Sequence, residues 1–495
     1  MKTLSTQEIR SLDQQAIESG IDSFDLMQAA GDGVATAIRQ LANHHQLVDV
    51  PLLVVAGHGN NAGDAFVAAT LLHQEEWIVE CWIAATENQL KDDALTAFKK
   101  MKKAGVVFQF IPQATDWNYA AECGTDAEII VDGLLGTGCS GEPRSPVSEA
   151  IYFINQAANQ ALVVSIDVPS AWRVSADLTV TMAFPKTDLL LPEHVNEVGN
   201  LEVVDIGIPP ELSDLVSPTS DLEYIHPTDL RPLFPPRKRT THKGTFGHLL
   251  CLGGSPGFSG AITLAAQAAL RSGTGLVSAL VPNSIHPIVA TALPEAMVHT
   301  LCPDSDFSAI LLGPGMGRTS ETRDTVLHYL QHSKIPLILD ADAITVLANH
   351  TDKIAAATCP VLLTPHPGEF ATLFNLKVSD VQEDRLGLIK MAADRLKATL
   401  LLKGAGTLVA SPSQPLAVNL TGNPGMATGG SGDLLAGLLA GLLAQGLPPY
   451  PAACASVWLH GRAGDLAAAE KSQNTLLPSD LIEKFSDAFR EISCR

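Results

Sequence analysis

Short runs of apolar, often β-branched residues alternate along the whole chain with longer segments whose apolar positions recur at helical spacing. Several runs end in Gly, Asp or Pro, which is typical of parallel strands that lead into covering helices, so the pattern predicts an α/β protein. In the first half the predicted strands are LLVVAG from Leu52, VECWIAA from Val79, EIIVDG from Glu128, LVVSIDVP from Leu162 and LTVTMAF from Leu178. In the second half they are HLLCLGGS from His248, LVSALVP from Leu276, AILLGPG from Ala309, PLILDADA from Pro336, VLLTPHPGE from Val361 and TLLLKGAGT from Thr399.

A chain of 495 residues is too long for one ordinary core, so two large domains are expected. The alternating pattern breaks after VVDIGIPPEL, where a stretch rich in Pro, Ser and Thr has no sustained periodicity. We expect a first domain over residues 1–220, a linker over 221–240 and a second domain over 241–495. The basic cluster 237–239 is interpreted as solvated linker, with an anion-binding patch as the alternative.

Composition and charge narrow the classes of function. Hydrophobic residues make up 46% and charged residues 17% of the chain, which suits a compact fold. The formal net charge of -21 repels polyanions, so no nucleic-acid partner is expected. Small anionic ligands would instead bind helix N-termini and glycine-rich backbone.

Three features bear on location. The 8 cysteines form neither CxxC pairs nor a zinc-type spacing, so we expect reduced thiols in a cytoplasmic protein. The N-terminal segment has no apolar core and does not read as a signal peptide. The longest apolar run, LLAGLLAGLLAQGL after Asp433, is shorter than the roughly 20 residues of a membrane span, so it predicts a buried helix and no membrane partner.

The first candidate site begins at GHGNNAGDA, residues 57–65, which joins a predicted strand to a helical segment. Backbone amides of such a turn can face a diphosphate, although many glycine-rich turns are purely structural. Two later strand ends carry VDGLLGTGCSGEP and SIDVPS. Ligands of open parallel sheets bind beyond the carboxyl ends of strands, so these polar groups should converge, and their oxygens also suit a hard or monovalent cation. They are Asn61, Asp132, Asp167 and Ser170, with helix N-capping as the alternative for either Asp.

The second candidate site is GNPGMATGGSGDLLAGLLAG, Gly422 to Gly441, where a glycine-rich loop runs straight into a helix. Successive amides from Thr428 to Gly432 can form a cradle for phosphate or an oxyanion. Asp433 would then accept a proton from a hydroxyl that attacks the phosphate, with an N-cap as the alternative. Upstream, Lys403 follows a predicted buried strand, where an ammonium is costly unless it meets an anion; a surface turn is the alternative.

The motifs of the first half resemble those of the bifunctional NAD(P)H-hydrate repair enzymes. Residues 59–65 are similar to that family's GNNGGDG, 131–138 to its VDALLGTG and 167–171 to its DIPSG, with Lys186 after the next strand. The resemblance implies a Rossmann-like three-layer αβα domain that interconverts the R and S hydrates of NAD(P)H, with Asp167 catalytic. Potassium would be held by Asn61, Asp132 and Ser170. The residues implied to contact the hydrated dinucleotide are Asn60, Asn61, Ala62, Gly63, Asp64, Gly136, Thr137, Gly138, Cys139, Ser140, Gly141, Glu142 and Asp167.

This first domain departs from the family pattern at two places. Ala62 and Ala65 replace glycines, and a Cβ is costly wherever a positive φ or a close phosphate is required. Ala171, Trp172 and Arg173 follow Ser170 in place of Gly-Leu. A binding or scaffold domain without catalysis is therefore the alternative to an epimerase.

In the second half, K-G-x-x-T at Lys403 and G-x-x-x-G-G-S-G-D ending at Asp433 resemble the family's ribokinase-like dehydratase. The segments LLGPGMGR, LDADAI and LTPHPGEF occur in family order. The resemblance implies a ribokinase-like αβα domain that uses ADP or ATP and Mg²⁺ to phosphorylate the C6 hydroxyl of the S hydrate and then expel phosphate, with Asp433 as the base. It favours ADP, and a homotetramer. The implied hydrate contacts are Gly260, Ala261, Gly317, His366 and Asp433, and the implied nucleotide contacts are Lys403, Gly404, Ala405, Gly406, Thr407 and Gly432. A ribokinase-like small-molecule kinase is the alternative.

Overall fold

The chain forms two compact units in a computed structural model that describes residues 1–138, 141–216 and 218–493. One unit comprises Lys2–Asp221, and the other comprises Met1 together with Leu222–Arg495. Each is an α/β domain with one sheet, as the sequence predicts. Within the described ranges, no helix is both long and apolar enough to cross a membrane.

The first domain has a seven-stranded sheet in which all pairs are parallel. Its strands are β1 Pro51–Ala56, β2 Ile78–Ile83, β3 Val107–Phe110, β4 Ile129–Gly133, β5 Leu162–Ile166, β6 Leu178–Met182 and β7 Asn200–Val204. Its helices are α1 Thr6–Glu18, α2 Ser23–His44, α3 Asn60–Gln74, α4 Asp92–Ala104, α5 Ala114–Cys123, α6 Val147–Ala157, α7 Val195–Val198 and α8 Pro210–Leu215. The strand order is β3-β2-β1-β4-β5-β6-β7. Alternate residues of β1 enter two separate cores, Leu52 with Val54 and Leu53 with Val55, which explains its unbroken apolar run.

The second domain has a ten-stranded sheet. Its strands are β8 Leu222–Tyr224, β9 His248–Leu252, β10 Leu276–Leu280, β11 Met297–His299, β12 Ala309–Leu312, β13 Leu337–Leu339, β14 Val361–Leu363, β15 Thr399–Leu402, β16 Thr407–Ala410 and β17 Leu416–Asn419. Its helices are α9 Pro227–Leu230, α10 Ser259–Arg271, α11 His286–Ala292, α12 Ser320–His332, α13 Asp342–Thr345, α14 Thr351–Ala355, α15 Pro367–Phe374, α16 Val378–Glu383, α17 Arg385–Leu396, α18 Ser431–Ala444, α19 Pro449–Lys471 and α20 Pro478–Ile492. The strand order is β11-β10-β9-β12-β13-β14-β15-β16-β17-β8.

The second sheet is parallel except at β16, a strand that the pattern does not predict, which is antiparallel to both β15 and β17. Only residues 403–406 connect β15 to β16, and so short a connection makes a hairpin, not a crossover. By contrast, the predicted buried helix after Asp433 is confirmed, because α18 is buried along nearly its whole length. That helix packs in the main core of the domain together with α10.

Part of the segment expected to be a linker is ordered. β8 pairs with β17, and α9 follows it. The guanidinium of Arg237 lies 3.7 Å from the ring centroid of Phe246 and donates to Gly273 O. Arg237 therefore holds the segment against the second domain, while its side chain stays exposed to solvent as expected for the linker. A three-residue strand between prolines produces no periodic signal, which is why the sequence shows only a break.

Candidate active sites

In the second domain the candidate residues lie beyond the carboxyl ends of neighbouring strands. Asp340 follows β13, Thr364 follows β14 and Lys403 follows β15. The strand order reverses between β9 and β12, and such switch points are where open α/β sheets bind ligands. The fold therefore gathers residues from distant parts of the sequence at one edge of the sheet.

Lys403 meets two carboxylates at this edge. Its Nζ lies 3.0 Å from Asp340 Oδ1 and 3.9 Å from Glu369 Oε2, and Thr364 Oγ1 donates to Asp340 at 2.6 Å. Burial acts to lower the pKa of the Lys403 ammonium, but the negative charges of Asp340 and Glu369 outweigh it and the pKa is raised. Lys403 is therefore a fixed cation, and the surface-turn alternative is wrong.

Asp433 lies in the first turn of α18. Burial, followed by the negative charge of Asp340, raises the pKa of Asp433 to about 7, although Lys403 opposes the shift. A carboxyl group with a pKa near neutral is suited to take a proton from an attacking hydroxyl. The N-cap residue of α18 is Gly430, so the capping alternative does not apply to Asp433.

The glycine-rich loop and Lys403 face the same space. A Cβ at Gly432 would lie 3.2 Å from Lys403 Nζ, so the start of α18 and the ammonium approach each other closely. Thr428 N–H donates to Met426 O at 2.8 Å and Ser431 N–H donates to Thr428 O at 3.3 Å, so two of the amides predicted for the cradle are used within the loop. The first-turn amides that follow lie at the positive end of α18. The ammonium, the amides and the Asp433 carboxyl thus form one site with two kinds of anion-binding group and one base.

Contacts link the other predicted hydrate-binding residues to this site. Gly317 N–H donates to Asp342 Oδ2 at 2.8 Å, and Asp342 is one of the charges that raise the pKa of Asp433. His366 caps α15, where its Nδ1 accepts from Gly368 N–H at 3.0 Å. Its Nε2 lies 3.3 Å from Glu369 Oε1, the carboxylate beside Lys403. Gly260 and Ala261 lie in the first turn of α10, which follows β9 at the switch point.

The predicted nucleotide-binding residues 404–407 form the hairpin between β15 and β16. Thr407 Oγ1 donates to Gly404 O at 2.8 Å. The buried guanidinium of Arg385 donates to Ala405 O at 2.7 Å and to Gly406 O at 3.2 Å. Nothing in the sequence indicates this role, because Arg385 reads as one more charge on a surface helix.

In the first domain the residues predicted to hold potassium converge. Asn61 Nδ2 donates to Ile166 O at 2.7 Å, and a Cβ at Gly136 would lie 2.3 Å from Asn61 Oδ1. Asp132 accepts hydrogen bonds from Ser170 through both Oγ, at 2.6 Å, and N–H, at 2.9 Å. Burial raises the pKa of Asp132, and the hydrogen bonds from Ser170 oppose that shift.

Asp167 belongs to a cluster of charges beside this trio. It pairs with Lys186 Nζ, which also donates to Thr181 Oγ1 at 2.9 Å. Burial, followed by the charge of Asp167, raises the pKa of Asp64 well above its usual value. Burial likewise raises the pKa of Asp13, a residue of α1 that nothing in the sequence indicated. The cluster therefore combines an ion pair with two carboxyl groups whose pKa values burial raises.

The two alanines of the first motif are accommodated without strain. α3 begins at Asn60, one residue after Gly59, so residues 60–65 are helical and do not form an open turn. Ala62 and Ala65 are fully buried, and neither has a positive φ. The condition of a positive φ is thus not met at either position, and both side chains fill the core behind the motif.

The second departure alters the rim of the same crevice. Ala171 and Trp172 both have φ near 55°, and the Trp172 ring stacks on His194 at 4.1 Å between centroids. Trp172 lines a cavity of about 140 Å³ together with the predicted contacts Gly136, Thr137 and Gly141. Two further predicted contacts, Cys139 and Ser140, lie outside the described residues.

Sequence reasoning missed several residues of both sites. Asp340 and Glu369 lie in LDADAI and TPHPGEF, segments noted for their order but not for a role. Their position directly after predicted parallel strands was the available signal. Glu142 pairs with Arg173 at 2.6 Å, which connects the predicted substrate loop to the altered turn.

The two domains define a class of protein: the first is an α/β domain with an open, wholly parallel sheet, and the second is a ribokinase-like domain in which a carboxyl group, an ammonium and a glycine-rich loop meet beyond the carboxyl ends of the strands. Family models match accordingly. Residues 23–188 match the YjeF-related protein N-terminus, and residues 249–487 match NAD(P)H-hydrate dehydratase.

Individual relatives span nearly the whole chain. The bifunctional NAD(P)H-hydrate repair enzyme of Moorella thermoacetica is 35% identical and covers 98% of this chain and 96% of its own, and that of Coxiella burnetii is 35% identical and covers 96% of each. The chain therefore belongs to the bifunctional NAD(P)H-hydrate repair enzymes. Among solved structures, the ADP/ATP-dependent NAD(P)H-hydrate dehydratase of Bacillus subtilis, co-crystallized with ATP/Mg²⁺, is 32% identical with a TM-score of 0.50 and covers 54% of this chain and 98% of its own.

Proposed function

We propose that the second domain dehydrates the S hydrate of NADH or NADPH with ADP or ATP as the phosphoryl donor. The observation that carries the proposal is the juxtaposition of Asp433, with its pKa of about 7, and the Lys403 ammonium across the glycine-rich loop. A base and an anion cradle in one crevice are what phosphoryl transfer to a hydroxyl requires.

The chemistry follows from the poor leaving ability of hydroxide. Asp433 takes the proton of the C6 hydroxyl as the C6 oxygen attacks the terminal phosphoryl group, and the bond from that phosphorus to the bridging oxygen breaks, so that AMP leaves from ADP or ADP leaves from ATP. Lys403 and the loop amides stabilise the charge on the phosphoryl oxygens. The C6–O bond of the resulting phosphate ester then breaks, phosphate leaves, and loss of a proton from C5 restores the ring double bond. Residues 404–407 and Gly432 bind the AMP portion of the nucleotide in this proposal.

A magnesium ion bound with the nucleotide would neutralise phosphate charge here. Among the described residues, no three His, Cys, Asp or Glu side chains form a complete metal site. The carboxylates of Asp340 and Glu369 are nevertheless the hard oxygen donors that Mg²⁺ prefers. The site therefore fits a Mg²⁺ ion that enters bound to the nucleotide phosphates and takes further oxygen ligands from Asp340 and Glu369.

The test is to supply S hydrate with ADP or with ATP and follow the near-ultraviolet absorbance of the dihydronicotinamide ring. Repair gives NADH with no accumulating phosphorylated hydrate. A small-molecule kinase would instead leave the phosphate ester, and absence of either product would contradict a catalytic role. Comparison of the two nucleotides also decides whether ADP, which the resemblance favours, is the better donor.

We further propose that the first domain interconverts the R and S hydrates. Inversion at C6 needs the C6–O bond to break and to form again on the other face. Asp64, whose pKa burial raises well above its usual value, can donate a proton to the departing hydroxyl, and Asp167, held beside Lys186, can accept one from the returning water. The carrying observation is the placement of these two carboxyl groups in one buried cluster, where Asp167 pairs with Lys186 and its charge acts on Asp64. The scaffold alternative predicts binding of hydrate without interconversion, which chromatography of the two epimers tests directly.

Potassium belongs to the same proposal. Asn61, Asp132 and Ser170 lie together near the ends of three neighbouring strands, and each carries an oxygen atom of the kind that hard cations take. Both oxygens of Asp132 accept hydrogen bonds, including those from Ser165 and Ser170, so the cation would compete with these donors. Replacing K⁺ by Na⁺ should lower epimerisation without lowering dehydration. An equal effect of both ions would overturn the potassium assignment.

The proposal also covers the domain boundary, the cellular location and the oligomeric state. We propose that the boundary between the two domains lies near residue 221, that the protein is cytoplasmic and that it assembles as a homotetramer. The reduced, dispersed cysteines support the location. Light scattering coupled to gel filtration measures the assembly directly.

A further inference from the structure

Helix α19 carries the segment HGRAGD, residues 460–465, which no step of the proposed reaction uses. The carboxylate of Asp465 is buried and faces the start of the glycine-rich loop. Its Oδ2 accepts from Gly422 N–H at 2.9 Å, and its Oδ1 accepts from Asn423 Nδ2 at 3.0 Å. Asn423 Oδ1 in turn accepts from Gly425 N–H at 3.1 Å. The Asp465 side chain is thus connected by hydrogen bonds to loop residues 422 and 423 directly and to 425 through Asn423.

The contact continues along the helix. Thr421 Oγ1 donates to Trp458 O at 3.2 Å, and Asn419 Nδ2 donates to Val457 O at 3.2 Å. A Cβ at Gly461 would lie 2.3 Å from Thr421 Oγ1, so the loop approaches the helix as closely as glycine allows.

The far end of the loop is held by the same helix. His460 is buried, and its Nε2 lies 3.3 Å from Ser431 Oγ at the start of α18. Burial lowers the pKa of His460 to about 4, so this imidazole stays neutral and adds no charge behind the cradle. Both ends of the loop therefore rest on α19.

We propose that Asp465 is a positioning residue for the dehydratase: its two hydrogen bonds, to Gly422 and Asn423, set the conformation in which the loop presents its amides and Asp433 to the phosphoryl group. This inference rests on the proposed function of the second domain. Asp465 touches no reacting atom, and it acts only through the loop. Catalytic geometry is sensitive to such support, since a displacement of about 1 Å can cost on the order of 10²-fold in rate.

The donor and acceptor pattern provides a rescue experiment. In Asp465→Asn one carboxylate oxygen becomes an NH₂ group, so a donor must face either Gly422 N–H or the NH₂ of Asn423. In Asn423→Asp two carboxylates face each other across 3.0 Å. The double variant Asn423→Asp/Asp465→Asn restores a donor opposite an acceptor. The new amide at position 465 accepts from Gly422 N–H through its oxygen and donates through its NH₂ to the new carboxylate at position 423, which still accepts from Gly425 N–H.

We expect each single variant of the full chain to lose about 10- to 100-fold in kcat/KM for the nucleotide and the double variant to recover most of it. Hydrogen exchange of the amides from Gly422 to Gly432, measured without ligand, should quicken in each single variant and slow again in the double variant. Ser456→Ala is the matched control, because it removes a buried hydrogen bond within α19 that touches no loop residue.

Two results would overturn the proposal: unchanged exchange and turnover in Asp465→Asn, or a double variant that regains its thermal midpoint but not its turnover. The exchange readout is independent of the reaction. If the wild-type chain dehydrates no hydrate while exchange follows the donor and acceptor pattern, the proposed function fails and the positioning role stands.

Discussion

Asp433 has a pKa of about 7 because burial and the neighbouring carboxylates disfavour its ionised form. Only the ionised form can act as the base, so dehydration should rise with pH and level off above neutral. Asp433→Asn should abolish turnover with nucleotide affinity largely kept. Initial rates across a pH series, with nucleotide binding measured by calorimetry, check both statements.

The raised pKa of Asp433 also predicts how the stability of the fold changes with pH. Its folded-state pKa lies above the ordinary value of 3.8, so ionisation opposes folding as pH rises through this interval, and the penalty is complete above about pH 7. Asp433→Asn removes the penalty. Its thermal midpoint should therefore exceed that of the wild type at pH 8 and match it near pH 4, and a gain that is independent of pH would contradict the assigned cause.

Lys403 stabilises the fold in addition to the nucleotide-binding role that we propose for it. Lys403→Ala leaves Asp340 and Glu369 buried without their cation, and breaking a buried pair costs about 3–5 kcal/mol. We expect a large fall in the free energy of unfolding together with weakened nucleotide binding. Chemical denaturation measures the first. Lys353→Ala, which removes an exposed pair with Asp352, is the control and should change stability little.

At the scale of elements, the sequence identifies the strands of the parallel core well and several short strands poorly, among them the buried strands β16 and β17. β1 and β12 are unbroken apolar runs because both faces of a parallel sheet are covered. β3 and β11 lie at sheet edges, are three or four residues long and are partly exposed, so they carry little apolar signal. Local pattern also cannot show that α19 lies behind the glycine-rich loop.

Several contacts in the two candidate sites join residues that are far apart in the sequence, and a local pattern cannot predict them. Asp433 and Lys403 could be predicted because their motifs are local. Asp13 and Asp465 could not, since each acts across a tertiary contact made by a helix whose own sequence reads as amphipathic or apolar.

Gly461 tests the packing of α19 against the loop. In Gly461→Ala the added methyl group would meet Thr421 Oγ1 and backbone, so the helix must move, at a cost of about 1–3 kcal/mol. We expect a lower thermal midpoint. Gly429→Ala, where a Cβ meets nothing within 4 Å, should leave the midpoint unchanged, and equal losses in both variants would point to a general helix or loop effect instead.

For the whole molecule, one chain is proposed to carry an epimerase and a dehydratase. A variant of either site should therefore lose one activity and keep the other. On a mixture of R and S hydrates, Asp167→Asn should repair the S fraction quickly and then stop, because the first domain no longer converts R to S while Asp433 is intact. Asp433→Asn should equilibrate the hydrates without forming NADH. Mixing the two variants should restore complete repair, since the hydrates diffuse freely between active sites. Chromatography of the hydrates with absorbance of NADH follows all three samples, and complete repair by Asp167→Asn alone would show that interconversion does not depend on the proposed site.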